Sequence, residues 1–310
     1  MTDRLIIDSH HHLWDLAVRP QPWITGEALA PLARSFSAAD LAPEAGAAGV
    51  VGTVAVQTVC LPEETPELLA LAAGSDLVAG VVGWTDLTAP DVRDAIAALR
   101  GQPGGNRLVG IRHQVQEEPD PEWLLRADVR RGLLAVAEAG LAYDLVVQPH
   151  QLPAATLAAA GLTGLTFVLD HLGKPPIATG ALEPWAADLR RLAALPNTVC
   201  KLSGLVTEAA PGTWRTQDLK PYADTVLDAF GPRRLLFGSD WPVCTLEAGY
   251  GEVVRIADHL TEGLSPAEKR ALFHRNAIRV YGLEETEQAA GTALMPAAGA
   301  REAAPAGGGG

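Results

Sequence analysis

The sequence IIDSHHHLW, residues 6–14, joins an apolar β-branched pair directly to three histidines. The pair indicates a short buried strand, and the side-chain alternation of a strand predicts that Asp8, His10 and His12 share one face. Two imidazoles two residues apart on a strand can reach a common point, which suits a metal ion or a substrate carbonyl. A run of histidines can also be the remnant of an expression tag or a solvated cluster. The functional interpretation is favoured because these histidines continue a hydrophobic strand and lead into further apolar residues.

Apolar strands and helical stretches alternate along the rest of the chain. Strands are predicted at residues 49–57, 77–84, 108–112, 143–147, 165–169, 198–202 and 234–238. Helices are predicted between them, at residues 63–73, 91–99, 121–139, 184–195 and 218–230. With the first strand this gives eight strands, at intervals of roughly thirty residues, the length of one βαβ unit. The pattern predicts an α/β protein with a single, distorted (β/α)8 TIM barrel. A doubly wound open sheet is the alternative, but it gives no reason for the number of strands.

The C-terminal region divides into closing helices and a segment of different composition. Helices at residues 247–259 and 266–281 are expected to complete a barrel domain that spans residues 1–283. Beyond residue 284 the chain is rich in alanine, glycine, glutamate and proline, and it ends in four glycines. Such a segment buries too little surface to offset its ordering entropy. Residues 284–310 are therefore predicted to be a disordered, low-complexity tail.

Charge and composition argue against several classes of partner. The 310 residues carry a formal net charge of −13, whereas binding to nucleic acid or to an anionic membrane needs a basic face. No apolar run approaches the roughly 18 residues of a membrane span, and no signal peptide is recognised. Cys60, Cys200 and Cys244 are far apart and odd in number, so a cytoplasmic protein without a disulfide framework is expected. Barrels of this size often pair, so a homodimer is considered, although no stretch marks an interface.

Polar, ionisable or aromatic side chains end the predicted strands, at the side where barrel enzymes place their functional groups. Besides the histidines of the first strand they are Gln57, Trp84, Arg112, His113, Gln148, His150, Asp170, His171, Lys201, Ser203, Ser239 and Asp240. Burying so many polar groups without a function would be costly. These residues are therefore the candidates for the site.

Individual candidates carry different alternatives. Lys201 lies in a buried strand, so its ammonium must point at water, a ligand or a carboxylate. Arg112 and His113 point to opposite faces of a regular strand, so at most one of them is expected in the pocket. Asp240 follows an apolar strand, where a carboxylate either accepts backbone N–H bonds in a turn or acts as a general base. His171 either hydrogen-bonds a loop or takes part in the chemistry.

Six motifs together resemble the amidohydrolase superfamily, and within it the lactonase-like branch. That branch includes L-fuconolactone and L-rhamnonolactone hydrolases and the pyrone dicarboxylate lactonases. The motifs are DSHHHLW at residues 8–14, VGWTDL at 82–87, GIRH at 110–113, LDHLGKP at 169–175, CKLSG at 200–204 and FGSDWPV at 237–243. The motifs follow one another in the family's order, and the resemblance covers residues from about 5 to 283.

The resemblance implies that His10 and His12 match the family's strand-one HxH pair, His171 its strand-six histidine and Asp240 its strand-eight aspartate. No lysine or glutamate ends the fourth strand, and the fifth offers only His150, beyond a proline, so a two-metal centre is not expected. Two alternatives stay open. One is a single divalent ion, zinc by preference, held by His10, His12 and Asp240; the other is no essential metal, as in the pyrone lactonases.

The resemblance also implies hydrolysis of a sugar lactone, with Asp240 as general base and then general acid and His171 as a second catalytic residue. The residues expected to bind substrate are Gln57, Trp84, Arg112, His113 and Lys201. A neutral, polyhydroxylated lactone is favoured over a dicarboxylate, which calls for more bidentate arginines. The alternatives are hydrolysis of a dicarboxylate or aromatic lactone or of an amide, decarboxylation of an aromatic acid, and a non-catalytic barrel that binds a sugar acid.

Overall fold

The computed structural model describes residues 5–284, which contain one sheet of eight parallel strands. The strands are β1 (Ile6–His11), β2 (Val50–Val56), β3 (Val78–Gly83), β4 (Leu108–His113), β5 (Ala142–Leu145), β6 (Phe167–Leu169), β7 (Thr198–Leu202) and β8 (Leu235–Phe237). Each strand pairs with the next in sequence order. The barrel closes where the end of β8 meets β1, and we call this junction the seam. There the Asp240 N–H donates to the His10 carbonyl (2.8 Å) and the His12 N–H donates to the Trp241 carbonyl (2.7 Å). The predicted (β/α)8 barrel is confirmed, and its seam runs through the histidine stretch.

Helices surround the sheet. Within residues 5–284 they are α1 (Ala38–Ala47), α2 (Glu64–Ala73), α3 (Val92–Arg100), α4 (Ala127–Glu138), α5 (Leu152–Gly161), α6 (Trp185–Ala193), α7 (Thr216–Phe230), α8 (Tyr250–Leu260), α9 (Pro266–Arg270) and α10 (Asn276–Tyr281). The helix expected at 266–281 is interrupted by a π-helical stretch, Ala271–Arg275. The helices α1 and α5 lie where no helix is predicted. The sequence of α5, LPAATLAAAG, is small and apolar on all sides, so it shows no amphipathic stripe.

The interior of the barrel contains an apolar layer with a polar layer above it. Alternate strand residues form the apolar layer, among them Val54, Val82, Val168, Val199 and Leu236. Tyr281 and Leu283, at the end of α10 and just after it, belong to the same cluster and close its lower end. The Tyr281 hydroxyl lies 3.0 and 2.9 Å from the two carboxylate oxygens of Asp144. The C-terminal helix therefore contacts the polar layer directly.

Several expectations concern features outside the barrel. Apart from Glu284, the tail predicted at residues 284–310 lies outside the described residues. No helix within residues 5–284 is long and apolar enough to cross a membrane. The thiols of Cys60, Cys200 and Cys244 are free.

Gly132 lies on α4, where the helix contacts the chain just after β3. A Cβ atom here would lie 2.8 Å from the Cα of Leu87, closer than carbon atoms pack. We predict that Gly132→Ala lowers the melting temperature, because forcing the backbones apart costs about 1–3 kcal/mol. Gly164→Ala is the matched control, since a Cβ atom there meets nothing within 4 Å. Thermal unfolding followed by circular dichroism measures both, and equal melting temperatures would contradict the close packing.

Candidate active site

An irregularity in β1 brings two histidines to one point. The pairing of β1 with β2 shifts register between Asp8 and His11, which face Thr53 and Ala55 respectively. Such a shift changes which side chains point inward. His10 and His12 converge, with their Nε2 atoms 3.2 Å apart. The prediction that Asp8 shares their face was wrong, because strict alternation does not hold across the shift.

Asp8 instead anchors the turn after β8. Its carboxylate accepts hydrogen bonds from the Ser239 backbone N–H (2.8 Å), the Ser239 hydroxyl (2.6 Å) and the Tyr250 hydroxyl (2.9 Å). Burial raises the pKa of Asp8 despite these donors. Asp240, the residue after Ser239, has a left-handed backbone with φ 60°. This conformation costs energy for a residue other than glycine. The Asp8 contacts therefore hold a strained turn that directs the Asp240 side chain.

Asp240 completes a cluster with the two histidines. Its Oδ1 atom lies 3.5 Å from Nε2 of His12 and 3.7 Å from Nε2 of His10. Ligand atoms about 2.0–2.1 Å from a tetrahedral zinc ion lie about 3.3 Å from one another. The three separations in this cluster match that spacing. These residues, all buried, therefore fit a site with three protein ligands for one divalent ion.

Both histidines are oriented by contacts on their other ring nitrogen. Nδ1 of His12 lies 2.8 Å from the Val56 carbonyl, to which it can donate. Nδ1 of His10 lies 3.2 Å from Oδ1 of Asp170 and 3.0 Å from the Lys201 ammonium. In the tautomer whose Nδ1 donates to the carbonyl or to Asp170, the Nε2 lone pair faces the cluster, as in metal sites where a carboxylate or carbonyl holds the ligand histidine. Burial keeps the pKa of His10 well below its ordinary value, so the ring is neutral at pH 7.

His171 approaches the same cluster from the end of β6. Its Nδ1 lies 3.0 Å from the Ser203 hydroxyl, and its Nε2 lies 4.0 Å from Oδ1 of Asp240. Burial lowers the pKa of His171 to about 4. A Cβ atom at Gly204, where φ is +66°, would lie 2.6 Å from Nδ1 of His171. Glycine is therefore required beside this ring.

Two cations and two carboxylates form a buried quartet below the cluster: Asp144, Asp170, Arg112 and Lys201. The Lys201 ammonium lies 2.6 Å from Asp144 and 2.9 Å from Asp170, and Arg112 donates to Asp170 at 2.9 Å. Burial would raise the pKa of Asp170, but Lys201, His10 and Arg112 outweigh it and hold the pKa well below its ordinary value. The two positive charges of the quartet offset its two negative charges. Through Asp170, the quartet also holds the His10 ring in place.

Three residues expected to bind substrate belong to this buried layer. Lys201 and Gln57 are 0% exposed and Arg112 is 2% exposed. Arg112 donates to the Gln57 side chain at 3.0 Å as well as to Asp170. These contacts favour a positioning role for Gln57, Arg112 and Lys201 over direct contact with substrate, because their polar atoms are occupied and shielded from solvent.

The other two predicted substrate-binding residues lie together beside β4. Trp84 Nε1 donates to Nδ1 of His113 at 3.0 Å, and Nε2 of His113 lies 2.7 Å from Glu118. The His113 ring stacks on Trp123 with 4.2 Å between ring centres. His150 is exposed in the loop before α5. The structure thus brings His10, His12, His171 and Asp240 to one point, whereas the side chains of Trp84 and His113 contact each other, and that of His113 also contacts Glu118 and Trp123.

Sequence reasoning missed Asp144, and it placed Asp170 and Ser203 among the strand-end candidates without assigning a partner to either. Asp144 stands in the apolar stretch YDLVV of β5, where a charge needs a partner just as Lys201 does. That shared requirement was a usable signal for pairing the two. The contact of Ser203 with His171 had no comparable signal, because a serine after a strand is common in turns.

Comparisons with known proteins find similar sequences and a similar fold. An Amidohydrolase family model matches residues 7–283. The chain is 42% identical over 299 residues to an L-fucono-1,5-lactonase of Burkholderia multivorans, covering 92% of this chain and 98% of the relative. It is 36% identical over 282 residues to an L-fucono-1,5-lactonase of Burkholderia ambifaria, covering 90% and 96%. A crystal structure of an amidohydrolase from Burkholderia multivorans with bound zinc, 42% identical, superposes with a TM-score of 0.85 over 90% of this chain and 100% of that one.

We predict that Lys201→Met strongly destabilises the protein. It leaves Asp144 and Asp170 buried with one cation fewer, and removing one partner of a buried ion pair costs about 3–5 kcal/mol. Lys220→Met is the matched control, because Lys220 pairs with Asp224 on the exposed surface of α7, where ion pairs contribute little. Thermal melting compares the two variants with the unmodified chain. A melting temperature for Lys201→Met equal to that of the control would contradict the role given to the quartet.

Proposed function

The chain belongs to the amidohydrolase family, and from this premise we propose that it hydrolyses a sugar lactone to the hydroxy acid. The substrate is L-fuconolactone, L-rhamnonolactone or a related aldonolactone. The observation that carries the proposal is the position of Asp240, whose Oδ1 lies 3.5–4.0 Å from three imidazoles at the carboxyl ends of the strands. The names of the two Burkholderia relatives support the same substrate class.

Asp240 serves as the general base. Burial would raise its pKa, but the imidazoles of His171 and His12 beside the carboxylate outweigh burial, and the pKa is lowered. The carboxylate is therefore ionised at pH 7 and can take a proton from water. The remaining hydroxide attacks the lactone carbonyl carbon. As the tetrahedral intermediate collapses, the ring C–O bond breaks and Asp240 returns the proton to the departing oxygen, which gives the hydroxy acid.

His171 stabilises the charge that develops on the carbonyl oxygen. Because its pKa is near 4, the ring is neutral at pH 7 and carries one proton. If the Ser203 hydroxyl donates to Nδ1, that proton is on Nε2, the atom that faces Asp240. An N–H fixed at this point can donate to the oxyanion without reorganising. Ser203 and Gly204 act through His171 as positioning residues.

His10, His12 and Asp240 would hold a metal ion, and zinc is the identity we propose. The fit rests on the separations of the three donor atoms and on the Nδ1 contacts that orient both rings toward one point. When bound, a divalent ion supplies Lewis-acid polarisation of the carbonyl and makes bound water more acidic.

A neutral lactone fits the site better than a dicarboxylate does. The Arg112 guanidinium is occupied by Asp170 and Gln57 inside the barrel, so it does not offer the bidentate pair that a substrate carboxylate prefers. We propose the cytoplasm as the location, because Cys60, Cys200 and Cys244 are all free.

We predict that the purified chain opens sugar lactones and that Asp240→Asn lowers kcat/KM by about 10²–10⁴-fold, since the general base is lost. Asp228→Asn, on an exposed position of α7, is the matched control. A panel of sugar, aromatic and dicarboxylate lactones with a pH indicator measures acid release. Failure to open any lactone, or full activity in Asp240→Asn, would refute the proposal and direct attention to amides, decarboxylation and sugar-acid binding.

A second prediction concerns the metal. Elemental analysis is expected to find one zinc ion per chain in the unmodified protein and much less in His12→Ala, which removes one of three ligands. Dialysis against a chelator should reduce turnover, and added zinc should restore it. Undiminished turnover by metal-free protein would instead establish the metal-independent alternative.

A further inference from the structure

Lys174 lies on the same tight turn as His171, and the proposed mechanism gives it no part. Its N–H donates to the His171 carbonyl at 2.8 Å. Three residues of the turn have left-handed backbones, with φ of 50° at His171, 56° at Leu172 and 53° at Lys174. Residues other than glycine hold such angles only where their surroundings impose them, and such residues concentrate at functional sites. The turn that orients His171 therefore also fixes where the Lys174 side chain begins.

Among the residues that the structure describes, the Lys174 ammonium pairs with the carboxylate of Glu208. It lies 3.3 Å from Oε1 of Glu208, and both side chains are partly exposed, 22% for Lys174 and 26% for Glu208. Ion pairs open to solvent contribute little to stability, so this one can exchange its carboxylate for another. The Glu208 carbonyl accepts a hydrogen bond from Ala178 (3.0 Å), which ties the loop after β7 to the loop after β6. The pair is thus held at the rim of the site.

Lys174 lies close to the reacting groups. It follows His171 by three residues on the same turn, and its backbone hydrogen bond to the His171 carbonyl holds it next to the ring that faces Asp240. Two other cations at the strand ends, Arg112 and Lys201, are occupied within the buried quartet. An anion that forms beside Asp240 therefore finds the Lys174 ammonium available at the rim.

Lactone hydrolysis creates such an anion. The substrate is neutral, whereas the hydroxy acid ionises at pH 7, and its carboxylate arises where the carbonyl was bound, next to the carboxylate of Asp240. We infer that Lys174 leaves Glu208 and binds the carboxylate of the hydroxy acid product, and that Glu208 competes for the ammonium and limits product affinity. This inference rests on the proposed function and adds a residue pair that controls product release.

The test compares inhibition by the hydroxy acid with the KM for the neutral lactone. Lys174→Met should raise the inhibition constant of the product relative to KM by about tenfold, because a charge-assisted contact is lost. Glu208→Gln should change the same ratio in the opposite direction, because the ammonium loses its competitor. Lys174→Arg should retain most of the product affinity. The matched control is Lys220→Met, whose ion pair with Asp224 is on the outer surface of α7 and whose constants should not change.

The outcomes separate the inference from the proposed function. If the unmodified chain opens no lactone, the proposed function fails and this inference fails with it. If lactones are opened but Lys174→Met binds the acid as tightly as before, only the inference is overturned. Equal weakening of product binding in Lys174→Met and Glu208→Gln would also overturn it, because it would show that the pair only braces the two loops. Glu208→Gln and Lys174→Arg keep the test decisive if Lys174→Met does not fold.

Discussion

The contact between the Lys201 ammonium and the buried carboxylates of Asp144 and Asp170 is the constraint on which the site depends. Charges inside a barrel are tolerable only when they are paired, and here Arg112 completes a balanced set. Because Asp170 also faces Nδ1 of His10, the same pairing orients a ring of the catalytic cluster. Stability of the barrel and geometry of the site are therefore maintained by one set of ion pairs.

The seam between β8 and β1 supplies the second constraint. Asp8 fixes Ser239, and the Asp240 N–H donates to the His10 carbonyl at 2.8 Å. The carboxylate proposed as the base and the histidines beside it are thus joined by backbone contacts as well as by their side chains. The contacts that close the barrel also hold the cluster together, and they impose the left-handed backbone of Asp240.

The sequence was sufficient for the barrel and for the four cluster residues, because apolar strands at regular intervals place their carboxyl ends at one rim. It was insufficient where local order is broken. The shift in β1 reverses the side on which Asp8 lies, and no residue in the stretch signals it. Lys201 was expected to point its ammonium at water, a ligand or a carboxylate. Deciding among these required knowing that β5 and β7, which flank β6, direct Asp144 and Lys201 to the same point in the interior. The position of Lys174 at the rim depends on the left-handed backbones of His171, Leu172 and Lys174. Secondary-structure propensity alone does not predict these backbone angles.

The central claim is that water attacks the lactone carbonyl carbon beside Asp240. Hydrolysis of L-fucono-1,5-lactone by the purified chain in ¹⁸O-labelled water, with the label located by mass spectrometry, tests it most directly. We predict turnover well above the spontaneous rate, with one labelled oxygen in the carboxylate and none in the hydroxyl released from the ring. Label in that hydroxyl, or turnover no faster than the spontaneous reaction, would contradict the mechanism.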